Sequence, residues 1–158
     1  MKVSKNAISL LEFSEGRKNR QYPDSEGSPT IGVGHKLLPN EITSGVIVIG
    51  GVSVSYKQGL TEDQVDDLCK QDLRVASNCI DKVVKVSLTQ SQYDTLVEFT
   101  FNIGVGAFTK STLLKKLNSG LYNEVPAQIA RWVHDNDGNE VKGLVTRRNN
   151  EIKLWNTK

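Results

Sequence analysis

The stretch SEGRKNRQYPDSEGSPTIGVGH, residues 14–35, sets three carboxylates (Glu15, Asp24 and Glu26), a threonine and a histidine among closely spaced glycines and prolines. Pro23, Gly27, Pro29, Gly32 and Gly34 interrupt it too often for a helix, so short strands and turns are expected over 17–35. Upstream, Ile8, Leu11 and Phe13, with Ala7 and Leu10 beside them, predict an apolar helical face over about residues 3–13 that stops near Gly16. Downstream, GVIVIGGVSVSYKQG (45–59) carries two β-branched runs around Gly50-Gly51 and reads as a hairpin. The first third of the chain is a small sheet with one helix.

After residue 60 the pattern changes. Thr61 followed by Gln64 is a capping box that opens a long helix, TEDQVDDLCKQDLRVASNCIDKV, with Val65, Leu68, Cys69, Leu73, Val75, Ala76 and Ile80 as its apolar positions. Thr89 with Gln92 repeats the signal before YDTLVEFTFNIG (93–104). Further helices are expected at 111–119, 123–133 and 143–156, with HDNDGNEVKG (134–143) as a polar loop. The fold class is α+β. A small sheet lobe over about 14–60 is followed by a linking helix over about 61–82. A larger helical lobe spans about 83–158, with the N-terminal helix packed on it. A cleft between two lobes is a common ligand site.

With 158 residues, 37% of them hydrophobic and 24% charged, the chain has the make-up of one globular domain. No apolar run approaches the roughly 20 residues that span a bilayer. MKVSKNAISLLEFSEG starts basic, but its apolar stretch is short and broken, so it reads as an amphipathic helix and not as a secretory signal. Synthesis and folding in the cytoplasm are expected, with another component needed to admit the chain to anything outside the inner membrane. A net charge of +2 calls for no nucleic-acid partner. Cys69 and Cys79 share one helix, ~15 Å apart along its axis, whereas a disulfide needs Cα atoms within ~7 Å. Both are expected as free thiols. Neither a metal nor a cofactor is expected, because no second His or Cys lies at ligand spacing from His35.

Glycoside hydrolysis needs two carboxyls in unlike surroundings. One gives its proton to the leaving oxygen, and the other stays ionised to activate water or stabilise positive charge. Glu15, closing a helix beside an apolar stripe, suits the donor. Asp24, in the polar turn YPDSEG where water and backbone N–H groups can solvate it, suits the charged partner. Thr30, six residues on, offers a hydroxyl that can share a water with Asp24. Three carboxylates within 22 residues are ordinary for a solvated surface, so residue order has to supply the specificity.

It does so through a resemblance. EG at 15–16, YPDSEG at 22–27 and TIGVGH at 30–35, with their steps of nine and six residues, resemble the phage-type lysozymes of the T-even and lambdoid endolysin group, glycoside hydrolase family 24. LTEDQVDDLCKQDL (60–73), FNIGVGAFTKSTLLKKLN (101–118), RWV (131–133) and GLVTRRNNEIKLW (143–155) extend the likeness over nearly the whole chain. The resemblance implies a lysozyme-like two-lobe fold and an endolysin muramidase that cleaves between N-acetylmuramic acid and N-acetylglucosamine in peptidoglycan for bacterial lysis. Glu15 would be the general acid, Asp24 the base or electrostatic partner and Thr30 the third member. Inversion would be the stereochemical course.

The same resemblance implies a structural ion pair between His35 and Asp72, saccharide contacts at Phe101, Ser111 and Gln128, and an Arg147 that reaches Glu15. It also implies dependence on a holin and action on periplasmic peptidoglycan. A monomer is the default. Lys36 departs from the pattern, standing where the T-even relative has an apolar cleft residue. Read without the resemblance, Arg147 and Arg148 form a solvated or wall-contacting basic face, Phe101, Trp132 and Trp155 fill core, His134 is a surface residue and Glu26 stabilises its turn. The basic RKNR (17–20) either meets anionic wall polymer or keeps the turn soluble.

Overall fold

The structure is a computed structural model that describes all residues, 1–158. In chain order it holds α1 (Lys5–Glu15), β1 (Lys18–Pro23), β2 (Pro29–Gly32), β3 (His35–Lys36), α2 (Pro39–Ser44), β4 (Val46–Ile49), β5 (Val52–Ser55), α3 (Glu62–Val83), α4 (Gln90–Ile103), α5 (Val105–Thr109), α6 (Thr112–Asn118), a 3₁₀ turn (Tyr122–Glu124), α7 (Val125–Ile129) and α8 (Lys142–Trp155). The chain divides into two compact units, Leu11–Arg74 and Met1–Leu10 with Val75–Lys158. No helix is long and apolar enough to cross a membrane.

The unit of residues 11–74 is built on a three-stranded antiparallel sheet in the order β1-β2-β3, with Tyr22 opposite Thr30 and Thr30 opposite Lys36. A bulge between Lys18 and Tyr22 interrupts the first pairing. β4 and β5 form a separate hairpin closed by Gly50 and Gly51, both at positive φ (58° and 81°), the geometry of a two-residue turn. A side chain of α3 clamps the hairpin's tip. The Gln71 amide donates to the Val48 carbonyl (2.9 Å) and accepts from the Gly50 N–H (3.1 Å). Ile31, Val33, Ile47, Tyr56, Val65, Leu68 and Leu73 fill this unit's core. Arg17 reaches α3, 2.7 Å from both Glu62 and Asp66. This residue of the RKNR run therefore ties strand to helix.

The other unit packs α4 against α5 and α8, and α6 against α7. Thr89 caps α4 through the reciprocal bonds its spacing predicts, Gln92 N–H to Thr89 Oγ1 and Thr89 N–H to Gln92 Oε1. Asp94, fully buried, accepts from the Ser4 backbone and hydroxyl, which fastens the N-terminus here. Phe99 lies edge-on to Phe108 and Trp132, with the Arg148 guanidinium 5.1 Å from its ring centre.

Several expectations need correction. Phe13 is 75% exposed and Val75 63% exposed. The buried stripe of α1 runs through Ala7 and Leu11, and that of α3 through Val65, Leu68, Leu73, Ala76 and Ile80, so both residues fall off the helical phase. The helix expected at 123–133 is a 3₁₀ turn followed by α7, which ends at Ile129. Helices α2 and α5, six and five residues long, are too short to leave a periodic signal. Arg147 and Arg148 form no solvated face. They are 7% and 1% exposed and pair with Glu98 and Glu151, both fully buried. Burial, and then the neighbouring Glu98, push the Glu151 carboxyl upward.

Candidate active site

Glu15, Asp24 and Thr30 all lie in the unit of residues 11–74. Glu15 is the last residue of α1, where Gly16 closes the helix by donating its N–H to the Glu12 carbonyl (2.8 Å). The Tyr22 hydroxyl donates to the Glu15 carbonyl (3.2 Å), joining the helix end to β1. The Glu15 side chain is half-buried and rests on Gly34, at φ +67°, where a Cβ would lie 2.8 Å from its Cγ. Gly34→Ala therefore meets two penalties, a left-handed backbone and a displaced carboxyl. It is expected to cost ~1 kcal/mol of stability and more than ~10-fold in kcat/KM, read from thermal unfolding and turnover on the same preparation.

Asp24 sits in the turn between β1 and β2, and its Oδ1 accepts two backbone hydrogen bonds, from Glu26 N–H (2.9 Å) and Ser28 N–H (2.8 Å). These donors favour the carboxylate over the acid. The Ser28 bond leads, outweighing slight desolvation, and Glu26 and Lys36 add to it, so the group titrates below the ordinary aspartate range. Lys36 Nζ lies 3.7 Å from the other oxygen, Oδ2.

Ser28 joins Asp24 to Thr30. Its N–H serves Asp24 Oδ1, while its carbonyl accepts from the Asp24 N–H (2.9 Å) and the Thr30 hydroxyl (2.9 Å). Thr30 is 2% exposed, so one residue's backbone fixes both side chains. An open depression of about 280 Å³, lined by Gln21, Tyr22, Pro23, Gly27 and Pro29, borders the Asp24 turn.

His35 is held from both sides. Its Nδ1 is 2.8 Å from Asp72 Oδ2 on α3, and its Nε2 is 3.0 Å from Glu41 Oε1 on α2. Burial alone would lower its pKa, but Asp72 and then Glu41 overcome this and raise it to about 9. Glu41, which also accepts the Leu38 N–H (2.8 Å), left no signal because it lies on a helix too short to read.

A folded pKa above the unfolded value of ~6.5 means that native protein holds the extra proton between those limits. The pair's contribution is therefore complete below pH ~6.5 and lost as pH rises through about 9. Its ceiling is about 3 kcal/mol. Urea midpoints taken from pH 6 to pH 10 should fall for the native chain and fall less for His35→Gln. Parallel slopes in the two proteins would refute this assignment.

The remaining expected contacts lie in the other unit. Phe101 on α4 is half-buried. Ser111 caps α6, its hydroxyl donating to the Phe108 carbonyl (2.7 Å) and accepting from the Leu114 N–H (3.1 Å). The Gln128 side-chain carbonyl accepts from Arg131 (3.2 Å). Arg147 donates through Nε to Glu98 Oε1 (2.8 Å). His134 is exposed and bridges to Glu140. Cys69 and Cys79 are free thiols. No group of three or more His, Cys, Asp or Glu side chains is disposed to hold a metal ion.

A helix-ending carboxyl and a backbone-anchored carboxylate on the following hairpin, carried on a mixed helix-and-sheet fold, mark a glycoside hydrolase of the lysozyme kind. The chain belongs to the phage lysozyme family, whose model matches residues 12–151. It is 35% identical to the endolysin of Salmonella phage P22 over 157 residues, 98% of each chain. It is likewise 35% identical to the endolysin of Bacillus phage PZA over 159 residues, but spans only 56% of that longer relative. A crystal structure of a P22 lysozyme mutant superposes with a TM-score of 0.80 at 34% identity, covering 99% of both chains.

Proposed function

We propose that this phage lysozyme hydrolyses the β-1,4 bond between N-acetylmuramic acid and N-acetylglucosamine in peptidoglycan, with Glu15 as proton donor and Asp24 and Thr30 as the pair that holds the attacking water. A peptidoglycan-hydrolysing muramidase of phage lysis is what membership of the family makes it. The role assignment rests on one observation, the Ser28 backbone that fixes Asp24 and Thr30 together.

The chemistry follows from where the hydrogens go. Thr30 spends its hydroxyl hydrogen on the Ser28 carbonyl, so toward a water it offers lone pairs only. Asp24 spends Oδ1 on two amides and has Oδ2 left to accept. A water held by these two gives one hydrogen to each and keeps its own lone pair for the anomeric carbon. As the C–O bond lengthens, Glu15 protonates the leaving oxygen and Asp24 takes the proton from the water, which inverts the anomeric configuration.

The chain folds as a monomer in the host cytoplasm and reaches periplasmic peptidoglycan once a holin-type partner opens the inner membrane. Analysis of the ends released from purified peptidoglycan tests the reaction. Reducing muramic acid ends are expected. Anhydro ends would instead identify a transglycosylase, and an uncut wall that still binds protein would identify a wall-binding descendant.

A further inference from the structure

We propose that Lys36 is a positioning residue for the reaction, its ammonium holding the one oxygen of Asp24 that the backbone leaves open and so keeping that carboxylate charged and fixed in rotation. The inference rests on the reading of Asp24 as the ionised partner. It starts from an asymmetry: Oδ1 has two backbone donors at 2.8 and 2.9 Å, while Lys36 Nζ stands 3.7 Å from Oδ2. The strand register puts the cation there. Lys36 lies directly opposite Thr30 on β3, and Thr30 is tied to Ser28, the residue that anchors Asp24. Cation, carboxylate and hydroxyl thus share one three-residue frame across neighbouring strands.

Asp24 has other charged and titratable neighbours. From β1, Tyr22 feels the charges of both Asp24 and Glu15, and Lys18 Nζ sits 4.8 Å above the Tyr22 ring. Glu26, in the turn, contributes its backbone N–H and keeps its side chain exposed. Lys36 is the cation that acts directly on Asp24, as a charge 3.7 Å from Oδ2.

The Lys36 side chain is 65% exposed, so its hold on Asp24 is open to screening by salt. The Debye length is about 10 Å at 0.1 M salt and about 3 Å at 1 M, so the 3.7 Å pair acts at the first and is largely quenched at the second. The role is to extend activity toward acid pH. Without the ammonium, Asp24 takes up its proton at a higher pH and stops working earlier on acidification.

The test compares native protein, Lys36→Met, Lys36→Arg and Asp24→Asn on soluble peptidoglycan fragments, with kcat and KM followed from pH 3 to pH 8 at 0.1 M and 1 M salt. In parallel, the Asp24 carboxyl is titrated by carbon NMR in substrate-free protein. At 0.1 M salt, Lys36→Met should lose more kcat at acid pH than on the plateau. On the acid limb it should lose about threefold, the equivalent of half a pH unit. Its Asp24 resonance should titrate at higher pH than in native protein. Lys36→Arg should restore both readings, and 1 M salt should make native protein behave like Lys36→Met. The proposal is overturned by an Asp24 titration that does not move in Lys36→Met, or by a loss of equal size at every pH that Lys36→Arg fails to restore. Asp24→Asn separates the two layers: if it turns over like native protein, the reading of Asp24 itself is wrong, whereas an inactive Asp24→Asn beside an unchanged Lys36→Met removes only the role of Lys36.

Discussion

Glu15→Gln should lower kcat on peptidoglycan by about 10²–10⁴-fold, the range a positioned proton donor supplies, and leave KM near its native value. The amide matches the carboxyl in shape, so it can rest on Gly34 as Glu15 does. The tie from Tyr22 runs to the Glu15 backbone carbonyl and is indifferent to the side chain. Folding should therefore be intact, with a melting temperature close to native. What disappears is the proton for the departing sugar oxygen. A Glu15→Gln variant that turns over like native would remove Glu15 from the reaction, and one that fails to fold would place its role in structure.

A loss of about 10²–10⁴-fold is likewise expected for Asp24→Ala, but here the fold is touched as well. Alanine removes the acceptor shared by the Glu26 and Ser28 amides. Leaving these donors to water loosens the turn by about 1 kcal/mol, or ~2–4 °C in melting temperature for a chain of this length. Asp24→Asn isolates the charge, because its amide oxygen can still accept from both N–H groups. The asparagine variant should be as inactive as the alanine variant but should melt close to native. Equal melting temperatures for the two variants, both well below native, would mean that the charge and not the acceptor holds the turn.

The candidate carboxyls could be read from the chain because they lie close together in it. Glu15, Asp24 and Thr30 fall within sixteen residues, and their spacing survives whatever surrounds it. The capping boxes at Thr61 and Thr89 were legible for the same reason, since each is a bond between residues three apart. Partners distant in sequence were not. Glu98 and Arg147 are 49 positions apart, and nothing local marks either as buried. A pair of adjacent arginines reads as solvated until the carboxylates that meet them are known. Glu41 was hidden by the brevity of its helix, and Phe13 and Val75 by a helical phase that only packing reveals. Ser28 stayed invisible because its contribution comes entirely from the backbone.

Anchoring through the backbone bears on how such enzymes diverge. The Asp24 turn recruits residues 26 and 28 through their amide hydrogens alone, so most side chains at those two positions leave the scaffold undisturbed. Proline is the exception, since it has no such hydrogen to offer. Substitution at positions 26 and 28 can therefore rewrite the side chain while one imino acid stays forbidden at both places.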